Sequence, residues 1–208
     1  MVEGLFGNFM KIEWNNRSIL YTNHEKKIIF NSLNKTIPLT QGKNLDLFET
    51  KFKKYLKCKG NAYAVANGSN ALDLTAILLN LKKNDEIILP AHTWCATGIS
   101  YARFGAKLKW ADIDEKTLNV NFNTIKKQIT KKTKAIIVVH LYGLPVDLKK
   151  IINYARKKKI IVIEDCAQAL GASIGNKKVG TFGDMAIFSF HSNKIITTLG
   201  EGGMLVVN

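Results

Sequence analysis

Arginine is scarce in this basic chain: Arg17, Arg103 and Arg156 are the only three among 31 Lys and Arg residues. A formal charge of +15 would by itself suggest a polyanionic partner, but bidentate readout of phosphates and bases favours the planar guanidinium fork. The lysines are dispersed in runs such as KFKKYLKCK (51–59) and ARKKK (155–159), which suit solvated helix faces. Nucleic acid is therefore not expected as a partner, whereas an anionic small substrate would gain from the same field. Cysteine is equally thin. Cys58, Cys95 and Cys166 are odd in number and form no CxxC pair, which argues against a disulfide framework and fits a reducing cytoplasm. No apolar run approaches the roughly 20 residues of a membrane helix. The opening MVEGLFGNFMKIEWNN lacks a basic segment followed by an apolar one, so neither export nor a membrane is expected. GxxxxGK followed by Ser or Thr is missing, and GEGG at 200–203 is not GxGxxG, which excludes the common nucleotide loops. His92 and Cys95 lack metal-ligand spacing, so no metal is expected.

What is present is an apolar, alternating chain. With 208 residues, 46% of them hydrophobic, it can bury a sizeable core. Strand-like runs at 62–66, 86–90, 107–113, 134–141, 159–165, 185–190 and 203–207 are separated by helical patterns near 70–81, 96–104, 122–130 and 147–158. Runs rich in Ile and Val, apolar on both faces, predict a three-layer α/β fold with a mostly parallel sheet and helices on each side. Ligands in such sheets gather at the carboxyl ends of the strands, where this reading places Gly68, Trp94, His140 and Asp165.

Three constellations bear on chemistry. In NGSNALDLTAILLN (67–80) Gly68 and Ser69 open a helix, whose unpaired N–H groups and positive dipole end suit a phosphate; an ordinary N-cap at Ser69 is the plainer alternative. In AHTWCATGIS (91–100) Trp94 follows a strand and can stack on a flat ring or simply fill core. In IVIEDCAQALGASIGNKKVGTFGDMAIFSFHSNK (161–194) an acid, Asp165, ends an apolar run and a potential Schiff-base amine, Lys194, precedes a glycine-rich segment. Those are the two groups a pyridoxal phosphate enzyme most needs, because its coenzyme is held through an amine and its ring nitrogen must stay protonated to act as an electron sink. Gln168 could bond the ring's phenolic oxygen and Ser189 the phosphate. The alternative has Asp165 capping the next turn and Lys194 in solvent.

The segments FETKFKKYL (48–56), ANGSNALDL (66–74), NDEIILPAHTWCAT (84–97), GAKLKWADID (105–114), TKAIIVVHLYGLPVD (133–147), IEDCAQALGA (163–172), KKVGTFGDMAIFSFHSNK (177–194) and GEGGML (200–205) together resemble the DegT/DnrJ/StrS family of pyridoxal phosphate-dependent sugar aminotransferases, of fold type I. The resemblance implies Lys194 as the coenzyme's covalent partner and proton carrier and Asp165 as the acid at the pyridine nitrogen. It also implies Gln168 at the ring oxygen, Trp94 stacked on the ring, and Gly68, Ser69 and Ser189 at the phosphate. His191 is an expected substrate contact. Asn67 and Asn70 stand where the family more often has Ser and Ala.

The implied reaction moves an amino group from glutamate or glutamine to a keto sugar nucleotide, for amino sugars of a surface polysaccharide or a secondary metabolite. A family member that dehydrates its sugar would carry His in place of Lys194, and a remnant that binds coenzyme without turnover is the other alternative. The family is longer. Residues 1–40 are accordingly expected to be an N-terminal segment and 41–208 a pyridoxal phosphate-binding large domain, incomplete at its carboxyl end and without the small domain. A homodimer, or association with a missing carboxyl-terminal half, is the expected assembly.

Overall fold

The computed structural model describes residues 21–35 and 41–208. Of the N-terminal segment, residues 1–20 and 36–40 thus lie outside the described residues. Between them runs α1 (Asn23–Lys35), a helix the sequence reading did not anticipate. Its start carries a reciprocal cap: Thr22 N–H donates to Glu25 Oε2 at 2.6 Å, and Glu25 N–H donates to Thr22 Oγ1 at 3.2 Å.

The rest alternates as expected. The order is α2 (Lys43–Leu56), β1 (Asn61–Val65), α3 (Gly68–Leu78), β2 (Glu86–Pro90), α4 (Cys95–Arg103), β3 (Lys107–Ala111), α5 (Phe122–Lys126) and β4 (Thr133–Val139). It continues with α6 (Leu148–Lys158), β5 (Ile161–Asp165), a two-residue hairpin of β6 (Ser173–Ile174) and β7 (Lys177–Lys178), β8 (Met185–Ser189) and β9 (Gly203–Val207). Seven strands form one sheet in the order β1-β9-β8-β5-β4-β2-β3. β2, β3, β4, β5 and β8 pair in parallel, while β9 runs antiparallel to both β1 and β8.

Why these strands are apolar throughout is visible in their alternation. Ile87, Leu89, Ile137, Ile163, Ile187 and Leu205 pack with Leu72, Ala76 and Tyr101 of α3 and α4. Their neighbours Ile88, Ile136, Val138 and Val162 pack with Ile151, Ile152 and Ala155 of α6 on the other face. Toward the β1 edge of that second face, Phe188, Met204 and Val206 meet Phe52 and Leu56 of α2. Both faces are covered, so a period of two buries nearly all of the central strands, leaving only end residues such as Thr133, Ile161 and Ser189 partly exposed. At the edges the pattern loosens, and Tyr63 of β1 and Trp110 of β3 are exposed. Among the described residues no helix is long and apolar enough to cross a membrane.

The differences from the sequence reading are local. The helix expected near 122–130 closes at Lys126: the next N–H groups, of Gln128 and Ile129, donate to the carbonyls three residues back, at Ile125 and Lys126, and Thr130 then turns its own N–H to Thr133 Oγ1 and its hydroxyl to the Glu86 carboxylate. β5 begins at Ile161 rather than 159, since Lys159 ends α6 in the left-handed conformation (φ 57). β3 stops at Ala111, just before Asp112 Oδ1 takes the Ile113 N–H at 2.9 Å.

Phe52 is the anchor of α2, with its ring edge-on to Phe188 at 5.0 Å and to Phe190 at 5.6 Å. Phe52→Ala is expected to lower unfolding stability by about 3–5 kcal/mol, read from urea denaturation followed by far-UV circular dichroism. A loss within experimental error would show that α2 does not help hold the sheet.

Candidate functional site

Eight residues singled out in the sequence, Gly68, Ser69, Trp94, Asp165, Gln168, Ser189, His191 and Lys194, line a single cavity of about 540 Å³. It opens where the carboxyl ends of β4, β5 and β8 meet the amino ends of α3 and α4, contributing Val139, Asp165, Ser189, Gly68 and Ala96 to its wall. Strand direction and right-handed crossovers place loops and helix starts on this edge of a parallel sheet.

Alternation along β5 decides which of two adjacent carboxylates meets the cavity. Glu164 points to the opposite face. Its Oε1 accepts the N–H groups of Phe182 and Gly183, both at 2.7 Å, and its Oε2 accepts Gly180 N–H at 2.8 Å and His140 Nε2 at 3.1 Å. Val146 N–H donates to His140 Nδ1 at 3.1 Å, so the ring proton lies on Nε2 and is given to Glu164. Burial alone would push this carboxyl up, but His140 and the backbone donors outweigh it and hold Glu164 below the ordinary glutamate range. His140, expected near the ligand edge, is therefore fully buried and committed to Glu164. With Cys166 these two make a compact His/Glu/Cys group. Its Glu and His nitrogen and oxygen atoms are already occupied by the bonds just described.

Asp165 is the cavity's acid. Its Oδ1 accepts Ala167 N–H at 3.1 Å and its Oδ2 accepts the Thr97 hydroxyl at 3.0 Å. The turn cap and the ligand-facing position, posed as alternatives, coexist in one carboxylate. Burial pushes its pKa above the ordinary aspartate range, partly offset by Ala167, Thr97 and the charge of Lys194. No ion pair to Asp165 forms among the described residues, so its charge is incompletely compensated.

At the other wall, α3 is capped by Asn67, whose side chain takes Asn70 N–H at 2.8 Å. Ser69 is not the cap, because Asn67 is the last extended residue (φ −164, ψ 174) and already supplies the acceptor. Gly68 and Ser69 N–H groups make no hydrogen bond among the described residues, and the positive end of the helix lies behind them. A side chain at Gly68 would bring Cβ to 3.0 Å from Ser189 Cβ, and one at Gly203 would meet the Asn67 carbonyl carbon at 2.5 Å. These two glycines let β8 and β9 run directly beneath the start of α3.

The remaining groups are set by neighbours. Gln168 Oε1 accepts Tyr142 N–H at 2.8 Å, which leaves its amide NH₂ as the donor. Trp94 is 74% exposed, so it is not core; the indole stands at the cavity rim as the residue preceding α4. His191 sits 3.4 Å from Glu201 Oε1 through Nε2 and 2.8 Å from Asn193 Oδ1 through Nδ1. Lys194 is half-buried and lines the cavity without an ion pair among the described residues. Sequence reasoning missed Thr93 and Thr97, which are unremarkable letters in a helix start, and Gly203, whose spacing to Asn67 only the sheet order reveals.

Fold and site together define an α/β protein whose polar and ionisable groups converge at strand carboxyl ends around one cavity. The model of the DegT/DnrJ/EryC1/StrS aminotransferase family matches residues 22–208, and the chain belongs to that family. It is similar to the GDP-perosamine synthase of Vibrio cholerae, 40% identical over 185 residues that make up 89% of this chain and 50% of that protein. Among solved structures it is similar to an aminotransferase from Psychrobacter cryohalolentis, with a TM-score of 0.87 and 37% identity over 91% of this chain and 48% of that one. A GDP-4-keto-6-deoxy-D-mannose-3-dehydratase of E. coli with bound hydrated PLP superimposes with a TM-score of 0.87 at 35% identity, over 95% and 52%. The chain spans about half the length of the curated relatives it matches.

The sign of the Asp165 shift sets a stability prediction. A carboxyl whose pKa rises on folding contributes stability that is complete below its unfolded range and is lost as the pH climbs through its folded value. Without a ligand, Asp165→Asn should therefore melt at a higher temperature than the parent at neutral pH, with the gap closing in acid. Calorimetry across that range checks it; a less stable variant at neutral pH would contradict the uncompensated charge.

Proposed function

We propose that the cavity holds pyridoxal 5′-phosphate and that the protein transfers an amino group from glutamate or glutamine to a keto sugar nucleotide. The observation that carries this reading is the gathering in one cavity of a half-buried amine, Lys194, and a buried carboxylate without an ion-pair partner among the described residues, Asp165. The donor set fits the coenzyme. Ser189 and the free N–H groups of Gly68 and Ser69 suit a phosphate at a helix start. The Gln168 NH₂ suits a phenolic oxygen, and the exposed face of Trp94 suits a flat ring. Asp165 would keep a pyridine nitrogen protonated while that cation offsets the cost of its own burial.

When bound, pyridoxal phosphate supplies an electron sink for the carbanion formed at an amino acid's α-carbon. The chain's own residues do the rest. Lys194 Nζ would hold the coenzyme and, when free of it, would take up a proton as a base and return it as an acid. Asp165 would keep the ring nitrogen protonated, and His191, positioned by Glu201 and Asn193, would contact the substrate. We take residues 41–208 as the coenzyme-binding unit, working in the cytoplasm as a homodimer. The presence of Lys194, where a dehydrating relative would have His, favours amination over dehydration.

Three outcomes test this. With glutamate, loss of the bound coenzyme's visible absorbance should accompany release of 2-oxoglutarate, and Lys194→Ala should slow that release by at least about 10²-fold. Supplied with a keto sugar nucleotide, the charged protein should yield an amino sugar; a deoxy keto sugar formed by loss of water would assign the dehydratase reaction instead. Ser189→Ala should weaken coenzyme binding by about 10-fold or more, the value of a hydrogen bond to a charged group, read by fluorescence titration. Unchanged affinity would remove Ser189 from the phosphate.

A further inference from the structure

We propose that Thr97 is a positioning residue for Asp165, the inner link of a one-way hydrogen-bond chain that runs Thr93 to Thr97 to Asp165. Its bearing on the coenzyme rests on the reading above, whereas the chain itself is a property of the protein.

Thr97 lies in the first turn of α4 and is 1% exposed. A threonine inside a helix ordinarily returns its hydroxyl to a carbonyl three or four residues back. Thr75 of α3 does so, donating to Leu72 O at 2.7 Å. Thr97 does not: its hydroxyl reaches across to Asp165 Oδ2 at 3.0 Å, a residue 68 positions away. An ionised carboxylate can only accept, so Thr97 must spend its single proton there. Its oxygen is then free to accept, and Thr93 Oγ1 donates to it at 3.0 Å. The direction of the whole chain thus follows from the charge on Asp165.

Two consequences arise. Of the two donors to Asp165, one is the Ala167 main chain, which only a proline would remove; Thr97 is the one that side-chain identity controls. Thr97 also sits three residues after Trp94. The bond therefore ties the acid at the end of β5 to the helix start that carries the indole, fixing two walls of the cavity against each other. Thr93 lines the same cavity, so the outer end of the chain is open to whatever occupies it.

The test is made on the ligand-free chain, by following the Asp165 carboxyl carbon with ¹³C NMR as the pH is changed. Asp165 is faced by Lys194 from the segment after β8, by His140 from the end of β4 and by Tyr101 from α4, with Glu164 and Cys166 beside it. All are retained in the variants. Thr97→Val keeps the shape and removes the donor, and should move the Asp165 midpoint to higher pH. Thr97→Ser should restore it, and Thr93→Val should move it in the same direction by less. With pyridoxal phosphate added, Thr97→Val should bind about 10-fold more weakly or worse. A Thr97→Val midpoint equal to the parent's overturns the proposal. If that variant does not fold, an unshifted midpoint in Thr93→Val overturns it instead. Failure of the parent to bind coenzyme would refute the proposed function and leave the carboxyl titration to decide the role of Thr97.

Discussion

A carboxylate taken out of water needs donors, a nearby cation, or a proton of its own, and in this protein two neighbouring carboxylates meet that demand differently. Glu164 is satisfied by three backbone N–H groups and the imidazole of His140. It thereby fastens the segment 180–183 and the end of β4 to β5. Asp165, on the other face of the same strand, receives two donors and no ion pair among the described residues. Much of the site follows from that contrast. One acid is saturated and structural; its neighbour is held, aimed at a cavity, and short of positive charge.

The constraint propagates through glycine. For Ser189 and Asp165 to share a cavity with the start of α3, β8 and β9 must pass within van der Waals reach of the Asn67–Gly68 turn, which side chains at Gly68 and Gly203 would obstruct. Asn67 serves as the cap, so the next two N–H groups have no partner among the described residues. Two N–H groups without a partner among the described residues, an acid and an amine are thereby assembled from three different strand ends. The strain of a partly uncompensated charge sits where a cationic ring would relieve it.

Much of this was legible in the residues. Strands buried on both faces announce themselves by unbroken Ile and Val, and seven of them emerged within a few positions of their observed limits. Direction was not legible: nothing in GMLVV distinguishes the antiparallel β9 from its parallel neighbours. Neither was α1, nor the early end of α5, where the Gln128 and Ile129 N–H groups turn to carbonyls three residues back. In the site, Asp165 and Lys194 were visible because an acid ending an apolar strand is expensive and a lysine beside glycines is unusual. Trp94 and Ser189 came from their places at strand ends and Gln168 from standing three residues after Asp165, with the family resemblance pointing to the same roles, and His191 is brought to the same cavity. Thr93 and Thr97 were hidden because their work depends on a contact 68 residues away along the chain. His140 was placed at the correct edge of the sheet but on the wrong face, since the turn after β4 directs it to Glu164.

Membership of the DegT/DnrJ/EryC1/StrS aminotransferase family and the convergence of these groups support one account of the cavity. Its central claim is that Lys194 Nζ is the atom to which the coenzyme attaches. The direct measurement is borohydride reduction of the protein mixed with pyridoxal phosphate, followed by proteolysis and mass mapping of the labelled lysine. The account predicts a single stoichiometric label on Lys194, absent from Lys194→Ala. Label spread over the many surface lysines, or an equal yield in the variant, would contradict it.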